Sequence, residues 1–134
     1  MVRNCFKLIL VCSIAVMVPS CGHDQQLLSI TVRPSGFVFE GYGAQGKFTA
    51  LGTYIHPPET KDITSRVLWQ IDIANFGTVD QTGLVTYTRT DLCGGGDVTA
   101  TYYSNPGNPS AGGTVVGSAT VKGANEVTGK CPPP

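Results

Sequence analysis

From Leu27 onward the chain alternates apolar and polar residues with a period of two, and no window sustains a helical period. Leu28, Ile30 and Val32 alternate with Ser29, Thr31 and Arg33, and Phe48, Ala50, Gly52 and Tyr54 with Lys47, Thr49, Leu51 and Thr53. The same pattern runs through Val67, Trp69, Ile71 and Ile73, through Val98, Ala100 and Tyr102, and through Ala119 and Val121. In an extended chain, successive side chains point to opposite faces, so each set covers one face of a half-buried strand. Turn residues punctuate the runs: Pro34-Ser35-Gly36, Gly41-Tyr42-Gly43, Pro57-Pro58, Gly94-Gly95-Gly96 and the stretch 104–113. Thr78 to Val85 reads as a hairpin, with Gly83 free to take the positive φ of a tight turn. About seven short strands so spaced predict an all-β, antiparallel β-sandwich over residues 27–123, with a tail over 124–134. Glycine and proline are abundant, 17 and 9, which approaches disordered composition, but strand alternation and a tryptophan point to a packed core.

The first residues read differently. Arg3 and Lys7 precede the apolar run from Leu8 to Val18, the layout of a secretory signal peptide over residues 1–20. At about 1.5 Å per residue this run makes roughly 16 Å of helix, short of a hydrocarbon core of about 30 Å. Val18-Pro19-Ser20-Cys21 resembles the lipobox of bacterial lipoproteins, which implies that Cys21 is lipidated and that residues 21–26 form a linker to the membrane. Two or more acyl chains, at about 0.8 kcal/mol per buried methylene, would hold such a domain firmly. Gly22 follows the cysteine where an aspartate often retains lipoproteins at the inner membrane, which in the resemblance favours the outer membrane mildly. The alternative is an ordinary signal peptide cut near Ser20-Cys21-Gly22.

Cys5 and Cys12 fall inside the leader, which leaves Cys93 and Cys131 as a pair in an oxidising compartment. A disulfide between them would tie the tail to the body, and chain entropy assigns it about 4 kcal/mol. The rival reading, a metal or redox pair, has no C-x-x-C and no adjacent histidine.

Charge narrows the function. The chain balances 9 basic against 9 acidic side chains, with no basic run, so a nucleic-acid binder working through phosphate neutralisation is excluded as a class. Loss of Arg3 and Lys7 with the leader would leave the remainder mildly acidic.

Five segments together suggest a family: Leu28-Ser-Ile-Thr-Val-Arg-Pro34, Gly46-Lys-Phe-Thr-Ala-Leu-Gly-Thr-Tyr54, Asp62-Ile-Thr-Ser-Arg-Val-Leu-Trp69, Gly77-Thr-Val-Asp-Gln-Thr-Gly-Leu-Val85 and Gly96-Asp-Val-Thr-Ala-Thr-Tyr102. In order and spacing they resemble the bacterial Ig-like domain, group 2, across nearly all of residues 27–122. The resemblance implies an Ig-like sandwich of the kind found in surface proteins and adhesins of the cell envelope, without catalytic residues. Two features depart from the pattern: the Pro/Asn/Gly-rich stretch from Ser104 to Gly113, and the cysteine pair with the tail after Ala124. Both lie near the last strand, where a disulfide would pin that edge and a special function would sit.

The candidate residues sort by chemistry. Trp69, Phe48, Tyr54, Val67, Ile71, Val98, Ala100 and Tyr102 are expected in the core, and truncation of Trp69 to alanine is expected to unfold the domain. Tyr42 between glycines, Tyr103 pointing opposite to Tyr102, and Asn105 and Asn108 in the inserted stretch are the candidate binding residues. His56 stands before Pro57-Pro58 with Glu59 and Asp62 nearby, but no metal-ligand spacing accompanies it. Asp72, Asp80, Asp91 and Asp97 are candidate oxygen ligands for calcium, without an EF-hand loop to arrange them. Gly94-Gly95-Gly96 lacks the Lys-Ser/Thr of a phosphate loop and reads as a flexible connection. No Gly-x-Ser-x-Gly elbow or nucleophile–His–acid arrangement is present.

The expectation from sequence is a lipid-anchored protein of the bacterial cell envelope, with the outer membrane mildly preferred, non-catalytic, without metal or cofactor, whose single sandwich serves as a binding or adhesion module for a protein or glycan partner or as a structural module. Two alternatives stay open: a small metal-dependent enzyme using His56 and nearby acids, and a passive spacer or remnant of a tandem-repeat surface protein.

Overall fold

The computed structural model describes residues 25–73 and 75–132, and the leader, Cys21 and the linker up to residue 24 lie outside them. Ten strands and one short helix follow in order: β1 Gln26–Arg33, β2 Phe37–Phe39, β3 Gln45–Lys47, β4 Thr49–Ile55, β5 Glu59–Asp62, β6 Leu68–Ile71, β7 Gly77–Val79, β8 Leu84–Tyr87, β9 Gly95–Tyr103, β10 Thr114–Gly123 and α1 Ala124–Thr128. Each side of the sandwich repeats the alternation of its sequence, as in β4, where Ala50, Gly52 and Tyr54 are buried and their neighbours are partly exposed.

Two layers enclose the core. One is the sheet β2-β10-β9-β6. The other combines β1-β4-β5 with β3-β8-β7, because β3 and β4 are consecutive, interrupted only at Phe48. The Phe48 N–H still donates to Gly83 O at 2.8 Å, so the ladder to β8 runs one residue past β3 before β4 takes up β1 and β5. The seven strands expected become ten through this break and through the short strands β2 and β5. Pairing is antiparallel throughout except between β2 and β10, which run parallel over Phe37–Phe39 and Val121–Gly123. That exception arises because the chain crosses between layers after β1, through Pro34-Ser35-Gly36, and lays β2 along the end of β10.

The core is apolar along its whole length. Val32, Phe39, Phe48, Ala50, Trp69, Phe76, Val85, Tyr87, Val98, Ala100 and Val121 are all buried. Phe37, Phe39, Phe48, Phe76 and Tyr87 form a chain of ring contacts with centroids 4.8–5.8 Å apart, mostly edge to face. Trp69 is buried as expected, and its Nε1 donates to Thr64 O at 3.0 Å, which satisfies its one polar atom. Of the expected core residues, Ile71 and Tyr102 are half-buried and pack against the core's rim.

Two local expectations are corrected. Leu28 does not face inward with Ile30 and Val32: it is 62% exposed, and Leu27 is buried in its place. A β-bulge between Leu27 and Ser29 adds one residue to β1 relative to β4 and reverses the parity. Secondly, the triple glycine is not a flexible connector. Gly95 and Gly96 belong to β9, and a Cβ on Gly96 would stand 2.1 Å from Ile73 Cδ1 and 2.6 Å from Asp72 Oδ1. Gly96 lets β9 lie close against the Asp72–Ile73 segment, and Gly95 lets it lie close against Val121–Lys122 of β10. The tail opens with helix α1, a single turn closed by Gly129 in the left-handed conformation.

Candidate functional site

The expected binding residues separate to opposite ends of the sandwich. β10 starts opposite Tyr103 and ends opposite Phe39, and its rise of about 3.3 Å per residue puts roughly 30 Å between the two ends. Tyr103, Asn105 and Asn108 sit at the first end, whereas Tyr42, in the turn between β2 and β3, sits at the second. The stretch 104–113 and the cysteine pair therefore mark the two ends of β10, not one common edge.

The second end is the more tightly bonded. Cys93 and Cys131 form a disulfide, as expected. Tyr87 donates its buried hydroxyl to Cys93 O at 3.0 Å, Asn125 Nδ2 donates to Asp91 O at 2.7 Å, and Gly94 N donates to Glu126 Oε2 at 3.1 Å. Burial pushes the Tyr87 phenol above its ordinary value. The Arg89 guanidinium, donating to the Asp91 carboxylate with help from Cys93 N–H, holds that carboxyl down to about 2. Tyr42 is 69% exposed here. Apart from Tyr42, the polar groups named at this end are bonded to one another, so the chemistry there is that of a clasp.

At the first end the stretch 104–113 bonds mostly to itself. Ser104 N donates to Gly113 O at 3.0 Å and Gly113 N to Ser104 Oγ at 2.7 Å, which closes its two stems. Asn108 N donates to Asn105 O and Oδ1, a turn typical of asparagine, so the Asn105 side chain is spent on the loop. Asn108 is exposed and Tyr103 half-buried.

Beneath this loop, among the described residues, a groove of about 670 Å³ opens between the start of β1, the end of β4 and the β9–β10 stems. Gln26, Leu28, Tyr54, Tyr102, Thr114 and Val115 line it, and no acidic or basic side chain does. Tyr54 is the residue that stands out. It is 5% exposed, yet its hydroxyl is buried without a hydrogen-bond partner. A buried, unsatisfied hydroxyl costs about 1–3 kcal/mol, and this one is closed off from the solvent of the groove. The nearby cations are committed elsewhere. Lys61 lies 5.6 Å from the Tyr54 ring centroid and donates to Gln25 Oε1 at 2.8 Å beside its ion pair with Glu59. Arg66 lies 5.4 Å from the Tyr102 ring and donates to the Tyr102 hydroxyl at 3.2 Å.

A second, shallower groove of about 550 Å³ adjoins it across Tyr102 and Ser104, where Arg66 and Leu68 meet Tyr103 and Pro106. Leu68, Thr101 and Val116 form one cross-strand row on the outer face of β6-β9-β10, with Leu68 and Val116 exposed on either side of the buried Thr101.

The acids named for metal or catalysis do not converge. Hydrogen bonding to the Thr64 side chain and then to its N–H lowers the pKa of the Asp62 carboxyl, while Glu59 pairs with Lys61 and Gln25, which lowers its own. Odd spacing along β5 sends these two side chains to opposite faces, away from a common site with His56. Asp80 caps the β7–β8 hairpin through Thr82 and Leu84, and those bonds depress its pKa. The Asp72 carboxylate accepts from Asp97 N–H at 2.8 Å, and Asp72 N–H donates to Asp97 O at 3.1 Å, which ties the segment after β6 to β9. Among the described residues no three His, Cys, Asp or Glu side chains form a metal-holding group, and no helix is long and apolar enough to cross a membrane.

Comparison with models of known protein families finds no match, and neither does comparison with curated proteins.

Proposed function

We propose that this chain is a lipoprotein of the bacterial cell envelope, anchored through Cys21, whose single sandwich is a group 2 Ig-like domain serving as a non-catalytic binding or structural module. One observation carries the reading. The carboxylates of Glu59, Asp62, Asp72, Asp80 and Asp91 are used locally, in turns, strand edges and the disulfide clasp, while among the described residues a groove and an exposed sheet face lie open. Such a surface suits recognition of a protein or glycan at the envelope better than bond-breaking chemistry. The leader pattern before Cys21 supports export and anchoring, and Gly22 favours the outer membrane. The order and spacing of the five quoted segments support the Ig-like assignment.

The anchor reading has a geometric corollary. Only residues 22–24 separate Cys21 from Gln25, and a chain spans at most about 3.6 Å per residue, so Gln25 would lie within about 14 Å of a lipidated cysteine. The groove end would then face the membrane, and the disulfide end with Tyr42 would point away. The test is Cys21→Ser in the native host. The unmodified chain is expected in the membrane fraction and the variant in the soluble one; equal partition of the two would remove the anchor from the proposal.

A further inference from the structure

One sheet edge differs from the others in what it leaves unpaired. We propose that the open edge of β6 binds an extended segment of a partner protein by antiparallel strand addition, the segment starting with a basic residue and ending with an acidic one. This deepens the binding-module reading and rests on it.

The phase of the ladder comes first. β6 meets β9 in the register Leu68↔Thr101 to Ile71↔Val98 without a bulge, and Asp72 N–H extends it to Asp97 O at 3.1 Å. Alternate residues of an antiparallel strand face its partner, so Leu68 and Gln70, in phase with Asp72, turn their N–H and C=O groups to β9. Trp69 and Ile71 turn theirs outward, and because β6 ends its sheet, no strand among the described residues pairs with them. Alternating donors and acceptors at this spacing are matched by another extended backbone.

The other sheet ends are blunted. β1 is bulged, and its Ile30 carbonyl lies close over Gly117 of β10. β2, β3 and β7 are three residues long, and β5 carries Glu59, Lys61 and Asp62 behind Pro57-Pro58. Leu68-Trp69-Gln70-Ile71 has neither charge nor proline, the devices that keep an edge from pairing.

Charge at the two ends of β6 sets the direction. Arg66 precedes the strand and Asp72 follows it, both exposed. Arg66 gives one nitrogen to the Tyr102 hydroxyl and Asp72 one oxygen to Asp97 N–H, so each keeps further bonding capacity. An antiparallel segment lying across residues 66–72 starts beside Asp72 and ends beside Arg66, which places the base first and the acid last.

Where the chain leaves the described residues favours a partner over a second copy. Gln25 lies at the Tyr102 end, and a lipidated Cys21 would hold it within about 14 Å. Antiparallel pairing of two β6 edges turns one copy end over end and carries its Gln25 away from the membrane that anchors the other. A partner's segment has no such tether.

The full chain, isotope-labelled and purified in detergent, is titrated with the end-capped peptide Lys-Val-Thr-Val-Thr-Val-Glu and followed by amide NMR. In the proposed register its valines fall opposite Ile71, Trp69 and Val67, its lysine opposite Asp72 and its glutamate opposite Arg66. The amide resonances of Trp69 and Ile71 are expected to move. N-methylation of the valines, whose N–H groups face β6, is expected to abolish binding, and N-methylation of the threonines to spare it, since only the first cuts the ladder. Exchanging the terminal lysine and glutamate is expected to weaken binding about fivefold, and unchanged affinity would overturn the assigned direction. No movement of Trp69 and Ile71 with the parent peptide would overturn the proposal, as would equal binding by the two methylated peptides. So would a concentration-dependent dimer in sedimentation whose dilution moves the same two amides, because a second copy would then hold the edge. A protein crosslinked in the native envelope through a photoreactive residue at Tyr42 or Asn108, and not through one at Gln70, would refute the edge and leave the binding-module reading standing.

Discussion

Reduction of the Cys93–Cys131 disulfide is expected to lower stability through the unfolded chain, with the folded one little changed. The bond joins residues 38 apart in sequence, and the loop it closes contains both β9 and β10. Loop-closure entropy for that length amounts to about 4 kcal/mol at room temperature. The native clasp has independent support. Tyr87 holds Cys93 O, Asp91 holds Cys93 N–H at 3.1 Å, and Asn125 N–H donates to Leu92 O at 2.9 Å, so the reduced protein retains the local arrangement. With an unfolding entropy of about 2.1 cal/mol/K per residue over roughly 110 residues, 4 kcal/mol corresponds to a fall in Tm of about 15–20 °C. Calorimetry on the oxidised protein, the reduced and alkylated protein, and Cys93→Ala/Cys131→Ala would measure it. A drop below about 5 °C in both altered forms would refute the reasoning, because the cross-link would then be closing a loop that the unfolded chain does not lose.

Other perturbations probe separate parts of the fold. A Cβ on Gly117 would stand 2.4 Å from Ile30 O, so Gly117→Ala must push β1 off β10 and is expected to cost about 1–3 kcal/mol in urea unfolding, whereas Gly107→Ala, whose nearest contact is Asn105 Oδ1 at 3.7 Å, should change little. Trp69→Ala removes a buried indole and its bond to Thr64 O, and a loss of about 3–5 kcal/mol is expected by denaturant titration followed by circular dichroism. The Asp91 carboxyl is lower in the folded state than in the unfolded one, so its stabilising contribution is fully present above about pH 4 and is lost as pH falls towards about 2. Arg89→Gln should return the Asp91 titration, followed by NMR, towards the ordinary carboxylate range; an unmoved midpoint would discount the Arg89 contact.

Strand alternation was legible because burial on one face is a local, periodic property. Phe48, Ala50 and Tyr54, Val67 and Trp69, Val98 and Ala100, and Ala119 and Val121 all face the core as their spacing implies. So was the Gly83 turn, whose φ of 81° and Asp80 cap realise the hairpin read from Thr78 to Val85. Leu28 was not legible, because a bulge changes parity without changing composition. The role of Gly96 was also hidden. A glycine that permits close approach and one that permits flexibility look alike until Ile73 and Asp72 are placed beside it. The groove escaped for a third reason. Its lining comes from residues 25–28, 54, 102, 104 and 113–115, which only the folding of β1, β4, β9 and β10 brings together. Tyr54 was read as core, correctly by burial, but alternation carries no information on whether a buried hydroxyl finds a partner. The one available signal was chemical: a tyrosine near the end of an inward-facing run has to place its polar tip somewhere.

The measurement that bears most directly on an anchored, disulfide-clasped module is the intact mass of the native protein from its envelope fraction, before and after reduction and alkylation. Expected is the mass of residues 21–134 plus at least a diacylglyceryl group, with Cys93 and Cys131 alkylated only after reduction. An unlipidated soluble chain with both thiols free would contradict both the anchor and the clasp.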